Sequence, residues 1–249
     1  MTDATIALLV ALADDELVLG YRESEWTGVA PMLEEDVALS SIAQDEIGHA
    51  RALYALAADL GAGADADAVA YDRPATAFRH ARLCERPRGD WGEAIARRYL
   101  YELADAVRLD ALLGSSQVPL AQLVAKIVRE EAYHLEHARA WIDRLASDDE
   151  ARDRLVSGLD AVWADALGLW EPLAEQHDLV AAGVQPLESG ASQVRWLELA
   201  AADLRVVGLE LPQSRVAALG GRRGDHGPDF DAQHDEMTLV RRQVPGAVW

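Results

Sequence analysis

Apolar residues recur at alternating steps of three and four through most of this chain and seldom at steps of two. That period belongs to helices that bury one face, so the spacing predicts an all-α fold. Long helices are predicted over about 4–25, 32–60, 91–113 and 118–146. A fifth follows over about 149–177, a sixth over 189–208 and a short last one over 229–242. Gly61-Ala62-Gly63 and Gly114-Ser115-Ser116 are the stops between them. Residues 61–90 read as a long connection broken by Pro74, Pro87 and Gly89. Such a segment suits a crossover better than a tight turn, which is the ferritin-like connection. The expectation is a single ferritin-like domain over 1–249, with a four-helix core over about 4–146 and a C-terminal helical extension over about 149–249.

The aliphatic stripes of these helices are interrupted in a consistent way. Helix 32–60 presents Leu39, Ile42, Glu46, His49, Leu53 and Leu56 on one face. Helix 118–146 presents Val124, Ile127, Glu131, His134, Ala138 and Trp141. In both, Glu and His stand three residues apart where aliphatic side chains should continue, and one helical face carries both. The stretches QDEIGHARALYALAADL and REEAYHLEHARAWIDRL place Glu46 over Glu131 and His49 over His134, an internal echo. The stripes of the other two long helices carry one carboxylate each, Glu16 and Glu102, with Asp15 and Asp105 as neighbours of second rank.

Buried carboxylates without a compensating cation are costly, and several facing one another more so. A di-metal centre resolves this, because two divalent cations balance four carboxylates while neutral imidazoles complete the ligand set. One Glu from each of two helices plus Glu-x-x-His from each of the other two is the di-iron carboxylate pattern. The predicted metal ligands are therefore Glu16, Glu46, His49, Glu102, Glu131 and His134. Oxygen-rich donors with imidazole suit iron, with manganese or mixed Mn/Fe as the alternative, better than structural zinc. The bland reading of the same residues is exposure or a buried hydrogen-bonded network.

Composition narrows the function further. Half of the residues are hydrophobic, enough for a sizeable core, and no apolar run is long enough to cross a membrane. The formal net charge of −20 repels nucleic acid. Cys84 is the single cysteine, so neither a disulfide framework nor a thiolate metal site is available. The opening residues lack the basic head of a signal peptide, and the expected location is the cytoplasm.

The remaining candidates read as structural. Acids crowding Asp225, His226, Asp229, Asp231, His234 and Asp235 fit a solvated helix start. His137 lies about 100° around the helix from His134, off the metal face. His80 and His177 fall near loops and are expected to be exposed. Arg222 and Arg223 could hold a phosphate, but pairing with nearby acids is the preferred reading. Trp26, Trp141, Trp163, Trp170 and Trp196 are read as core or interface residues.

The chain also resembles the phenylacetyl-CoA epoxidase family, specifically its C-type subunits. The resemblance is carried by LADDELVLGYRESEWTGVAPMLEEDVALSSIA, IARRYLYE, AKIVREEAYHLEHARAWIDRL and the closing GGRRGDHGP…EMTLVRRQVPGAVW, whose PG-x-x-W ending is the most telling part. It implies a multicomponent di-iron monooxygenase of phenylacetate catabolism that epoxidises the ring of phenylacetyl-CoA or a similar aromatic CoA thioester. It further implies three other components: a catalytic A-type subunit, a bridging B-type subunit, and an NADPH-dependent flavin and iron–sulfur reductase. A hetero- or homo-oligomer follows from that. C-type subunits of the family are structural partners with non-ligating residues at several metal positions. Here QDEIGH, YLYE and EEAYH look instead like the motifs of the catalytic A-type subunits. An oxygenase component with its own di-iron centre is the leading expectation. A non-catalytic partner of a catalytic A-type subunit stays open beside it, as does a stand-alone ferritin-like iron protein. No acid, base or nucleophile beyond the metal ligands is demanded by the sequence.

Overall fold

Breakers and caps set where the predicted helices begin and end. The computed structural model describes residues 2–244, and the PG-x-x-W ending lies outside them. Among the described residues every regular element is helical. The order is α1 (Thr2–Ser24), α2 (Leu33–Asp59), α3 (Ala66–Tyr71), α4 (Arg82–Glu85), α5 (Trp91–Leu112) and α6 (Val118–Ala146). Then follow α7 (Asp149–Gly168), α8 (Gln176–Ala181), α9 (Ser189–Val206), α10 (Pro228–Met237) and α11 (Leu239–Gln243). The fold is all-α and of the ferritin-like class.

Three stretches depart from the expectation. The connection after α2 is not bare: Asp65 caps α3 by accepting from the Ala68 amide at 2.8 Å, and α4 follows. The fifth helix stops at Gly168, ahead of Pro172, which disfavours helical backbone at Glu171, and the chain resumes as α8. The last helix is split at Thr238, whose hydroxyl donates to the His234 carbonyl at 2.7 Å and so competes with the backbone ladder.

The chain divides into two compact units, one formed by residues 2–87 with the C-terminal stretch from 220 onward, the other by residues 88–219. In the first, α1 packs along α2, with α3 on α2 and α4 on α1. Gly20 sets how closely α1 and α2 approach. A Cβ there would stand 2.8 Å from Glu46 Cβ and 3.1 Å from the Ala43 carbonyl oxygen. The C-terminal stretch returns to this unit across most of the sequence. Arg222 grips Asp15 with two nitrogens at 2.9 and 2.7 Å, and Gln233 donates to the Val18 carbonyl at 2.9 Å.

In the second unit α5 is the central helix and packs against α6, α7 and α9. Asp90 and Asp148 cap α5 and α7, accepting from the amides of Glu93 and Ala151. The α5/α7 crossing depends on glycine, since a Cβ on Gly158 would come within 2.7 Å of the Gly92 carbonyl oxygen. Trp163 and Trp196 stack with ring centroids 5.5 Å apart, and each indole donates to a carbonyl. All five tryptophans singled out in the sequence are buried.

Candidate metal centre

The α1/α2 hairpin assembles the first half of the predicted ligand set. Glu16 on α1 and Glu46 and His49 on α2 are at most 5% exposed, and their ligand atoms lie within 4.8 Å of one another. His49 Nδ1 stands 3.5 Å from Glu16 Oε2. The step of three between Glu46 and His49 keeps both on the face that α1 covers, and Gly20 lets α1 sit close enough to bring Glu16 to them.

The acids before Glu16 are held by other groups. Asp14 accepts from the Tyr54 hydroxyl, from the Arg73 guanidinium and from the Arg79 amide. Asp15 accepts from both Arg222 terminal nitrogens and from the Ala81 amide at 2.7 Å. The second rank given to Asp15 is thus explained: it anchors the C-terminal stretch. Arg222 is part of that buried pair, as the non-phosphate reading had it.

The α5/α6 pair assembles the other half. Glu102 on α5 and Glu131 and His134 on α6 are at most 3% exposed, and their ligand atoms also lie within 4.8 Å of one another. His134 Nδ1 is 3.3 Å from Glu131 Oε1. Burial pushes the Glu102 carboxyl well above the usual carboxylate range. Arg98 opposes that shift, while Glu131 and Asp105 reinforce it by like charge. Arg98 Nη2 meets Glu102 Oε1 at 2.5 Å with both side chains buried. Asp105 turns to Arg108 at 2.8 Å. His137 lies outside both triads.

Each triad offers two carboxylates and one imidazole, the hard-oxygen and nitrogen mixture that Fe or Mn accepts. Clustering buried carboxylates is unfavourable without added positive charge, so this donor chemistry fits divalent cations. Arg98 is the discordant element, because it already neutralises one donor. The stripe reading missed it, although an Arg four residues before a Glu on one helix is a recognisable signal.

The expectation for His80 is overturned. It is fully buried, its Nε2 lies 2.7 Å from Glu85 Oε2, and its ring stacks on His226 at 3.9 Å between centroids. His226 Nδ1 lies 2.8 Å from the same oxygen, and the Gly227 amide donates to Glu85 Oε1 at 2.9 Å. Burial pushes His80 down. Burial also raises Glu85, but hydrogen bonds from His226, His80 and Gly227 outweigh it and hold Glu85 at about 2. Loop residues have no periodicity, so the sequence offered no face on which to place His80. His177 is exposed, as expected. In the acid-rich last loop, Asp225 pairs with Arg82 and Asp235 with Arg242 at 2.7 and 2.8 Å, while His226 and His234 are tied inward to carbonyls.

Comparison with known proteins gives the family of the chain. The chain is 30% identical over 246 residues to the C subunit of 1,2-phenylacetyl-CoA epoxidase from Escherichia coli (strain K12), covering 98% of each protein. It is 26% identical over 162 residues to the A subunit of the same enzyme, covering 64% of this chain and 52% of the relative. The family model described as phenylacetic acid catabolic protein matches residues 1–249, and the chain belongs to that family.

Proposed function

We propose that this chain is one component of a multisubunit 1,2-phenylacetyl-CoA epoxidase and that its two triads together hold a di-iron centre. The observation that carries the metal assignment is the repeated buried set of two carboxylates and one imidazole, each with ligand atoms within 4.8 Å. Glu16, Glu46 and His49 would hold iron on one side and Glu102, Glu131 and His134 on the other. When bound, iron supplies reduction of O2 and transfer of one oxygen atom to the aromatic ring. The protein contributes donors on rigid helices, charge balance for the buried carboxylates and exclusion of bulk water. Manganese or a mixed Mn/Fe pair fits the same donors.

The proposed partners are a catalytic A-type subunit, a bridging B-type subunit, an NADPH-dependent flavin and iron–sulfur reductase, and phenylacetyl-CoA or a related aromatic CoA thioester. No helix is long and apolar enough among the described residues to cross a membrane, which is compatible with the cytoplasmic location we assign. A second reading, a non-catalytic partner of the A-type subunit, is favoured by the Arg98–Glu102 pair.

Reconstitution separates the two. The chain is combined with A- and B-type subunits, reductase and NADPH, and phenylacetyl-CoA consumption is followed. A Glu46→Ala/His49→Ala variant that still assembles should lose its own iron and lower turnover. Unchanged turnover in an assembled complex leaves the non-catalytic reading.

A further inference from the structure

A further group of ligating side chains stands outside the predicted iron ligands. His80 and Glu85 lie on the connection after α2, and His226 reaches Glu85 from 141 residues further along the chain. One ligand atom from each of the three lies within 4.8 Å of the others. His80 and Glu85 are buried, and the His226 side chain is 3% exposed. All three belong to the first compact unit.

The contacts around this group have the form of an outer ligand shell. His226 Nδ1 faces Glu85 Oε2 at 2.8 Å, and its Nε2 faces the Phe78 carbonyl at 3.1 Å. Both ring nitrogens thus face oxygen acceptors, which a neutral imidazole with a single N–H cannot satisfy. Either a second proton or a metal ion at Nδ1 resolves this. With a metal ion, Nε2–H still donates to Phe78, and a metal-bound histidine typically gives its other N–H to a carbonyl or carboxylate in this way. Glu85 is oriented in the same manner. Its Oε1 accepts from the Gly227 amide at 2.9 Å, and its Oε2 stands between the two imidazoles, 2.7 Å from His80 Nε2. Phe230 is fully buried against both rings, 4.3 Å from His80 and 4.8 Å from His226 between centroids.

Two imidazoles and one carboxylate are a set that zinc takes, with water in the fourth position. The set is richer in imidazole than the groups around Glu16 and Glu102, which favours Zn²⁺ here over iron or manganese. The two rings lie within 11° of parallel, so they must turn apart before both lone pairs meet at one ion. Entry of the ion therefore exchanges the ring stack and the shared Glu85 hydrogen bonds for three coordinate bonds.

We propose that His80, Glu85 and His226 form a zinc site that fastens the returning C-terminal stretch to the connection after α2. The site is independent of the iron reading, and its role is structural. Arg222, just ahead of His226, pairs with Asp15 on α1, so the ion also steadies the segment that braces α1.

The test uses the full chain, stripped with a chelator and crystallised with Zn²⁺ as the sole added metal. Diffraction above and below the zinc absorption edge should place an ion about 2.0–2.2 Å from His80 Nε2, His226 Nδ1 and Glu85 Oε2, with the ring stack opened. In solution, dye competition should find one zinc ion fewer per chain in His226→Phe, which keeps a ring against His80. Zinc should slow amide hydrogen exchange across residues 220–227 by at least about tenfold in wild type and leave it unchanged in His226→Phe.

Zinc found at the carboxylate-rich groups alone, no zinc bound, or equal zinc content in wild type and His226→Phe would overturn the inference. His226 would then hold Glu85 as a protonated ring. The wild-type diffraction decides the matter even if His226→Phe fails to fold.

Discussion

The two triads carry the same donors in the same order, yet their surroundings differ. The α1/α2 triad is braced from far along the chain: Arg222 and Gln233 of the C-terminal stretch hold Asp15 and the Val18 carbonyl. The α5/α6 triad is braced locally, by an arginine one helical turn from its ligand. Duplicated sequence motifs thus do not guarantee duplicated chemistry.

The largest expected effect on this contrast comes from Arg222. Arg222→Ala would remove the guanidinium from the buried Asp15 carboxylate, at a cost of about 3–5 kcal/mol. Urea unfolding should read that loss, and iron binding at the α1/α2 triad should weaken while the α5/α6 triad is spared. Equal weakening of both would show that the C-terminal brace is not specific to its own unit.

Next is the acid limb of stability in the same unit. Glu85 is held at about 2, below its ordinary 4.5, so its contribution is present above pH 4.5 and is lost as pH falls toward 2. His80, pushed down by burial, must be protonated against that preference on the same side, which adds to the acid loss. Wild-type stability should fall by about 2 kcal/mol over that window from Glu85, allowing for partial solvent screening. Glu85→Gln should flatten that limb. A Glu85→Gln profile parallel to wild type would refute the assignment.

An effect of similar size is expected from Gly20→Ala. The added methyl would stand 2.8 Å from Glu46 Cβ, so α1 and α2 must separate at a cost of about 1–3 kcal/mol. Weaker metal binding at the α1/α2 triad alone would sharpen the comparison. Unchanged metal binding would break the claim that this approach positions Glu16.

Much of this was readable from periodicity. α6 occupies the predicted 118–146, and all six proposed ligands are buried as their stripes required. Periodicity cannot see side chains that act across the stripe or from loops. Arg98 has the i,i+4 spacing to Glu102, but only burial shows that the pair is enclosed. His80, Glu85 and His226 come together only because the 220–230 stretch returns to the connection after α2, a pairing with no local signal. Short helices such as α3 and α8 were missed because one or two turns present too few residues to show a period.

The central claim is that the two triads make one di-iron centre. Mössbauer spectroscopy of the chain loaded with ⁵⁷Fe and oxidised tests it most directly. The expected result is about two iron ions per chain in a spin-coupled pair, lost together in Glu46→Ala/His49→Ala. A wild-type protein that folds yet retains no iron, or holds only magnetically isolated ions, would contradict it.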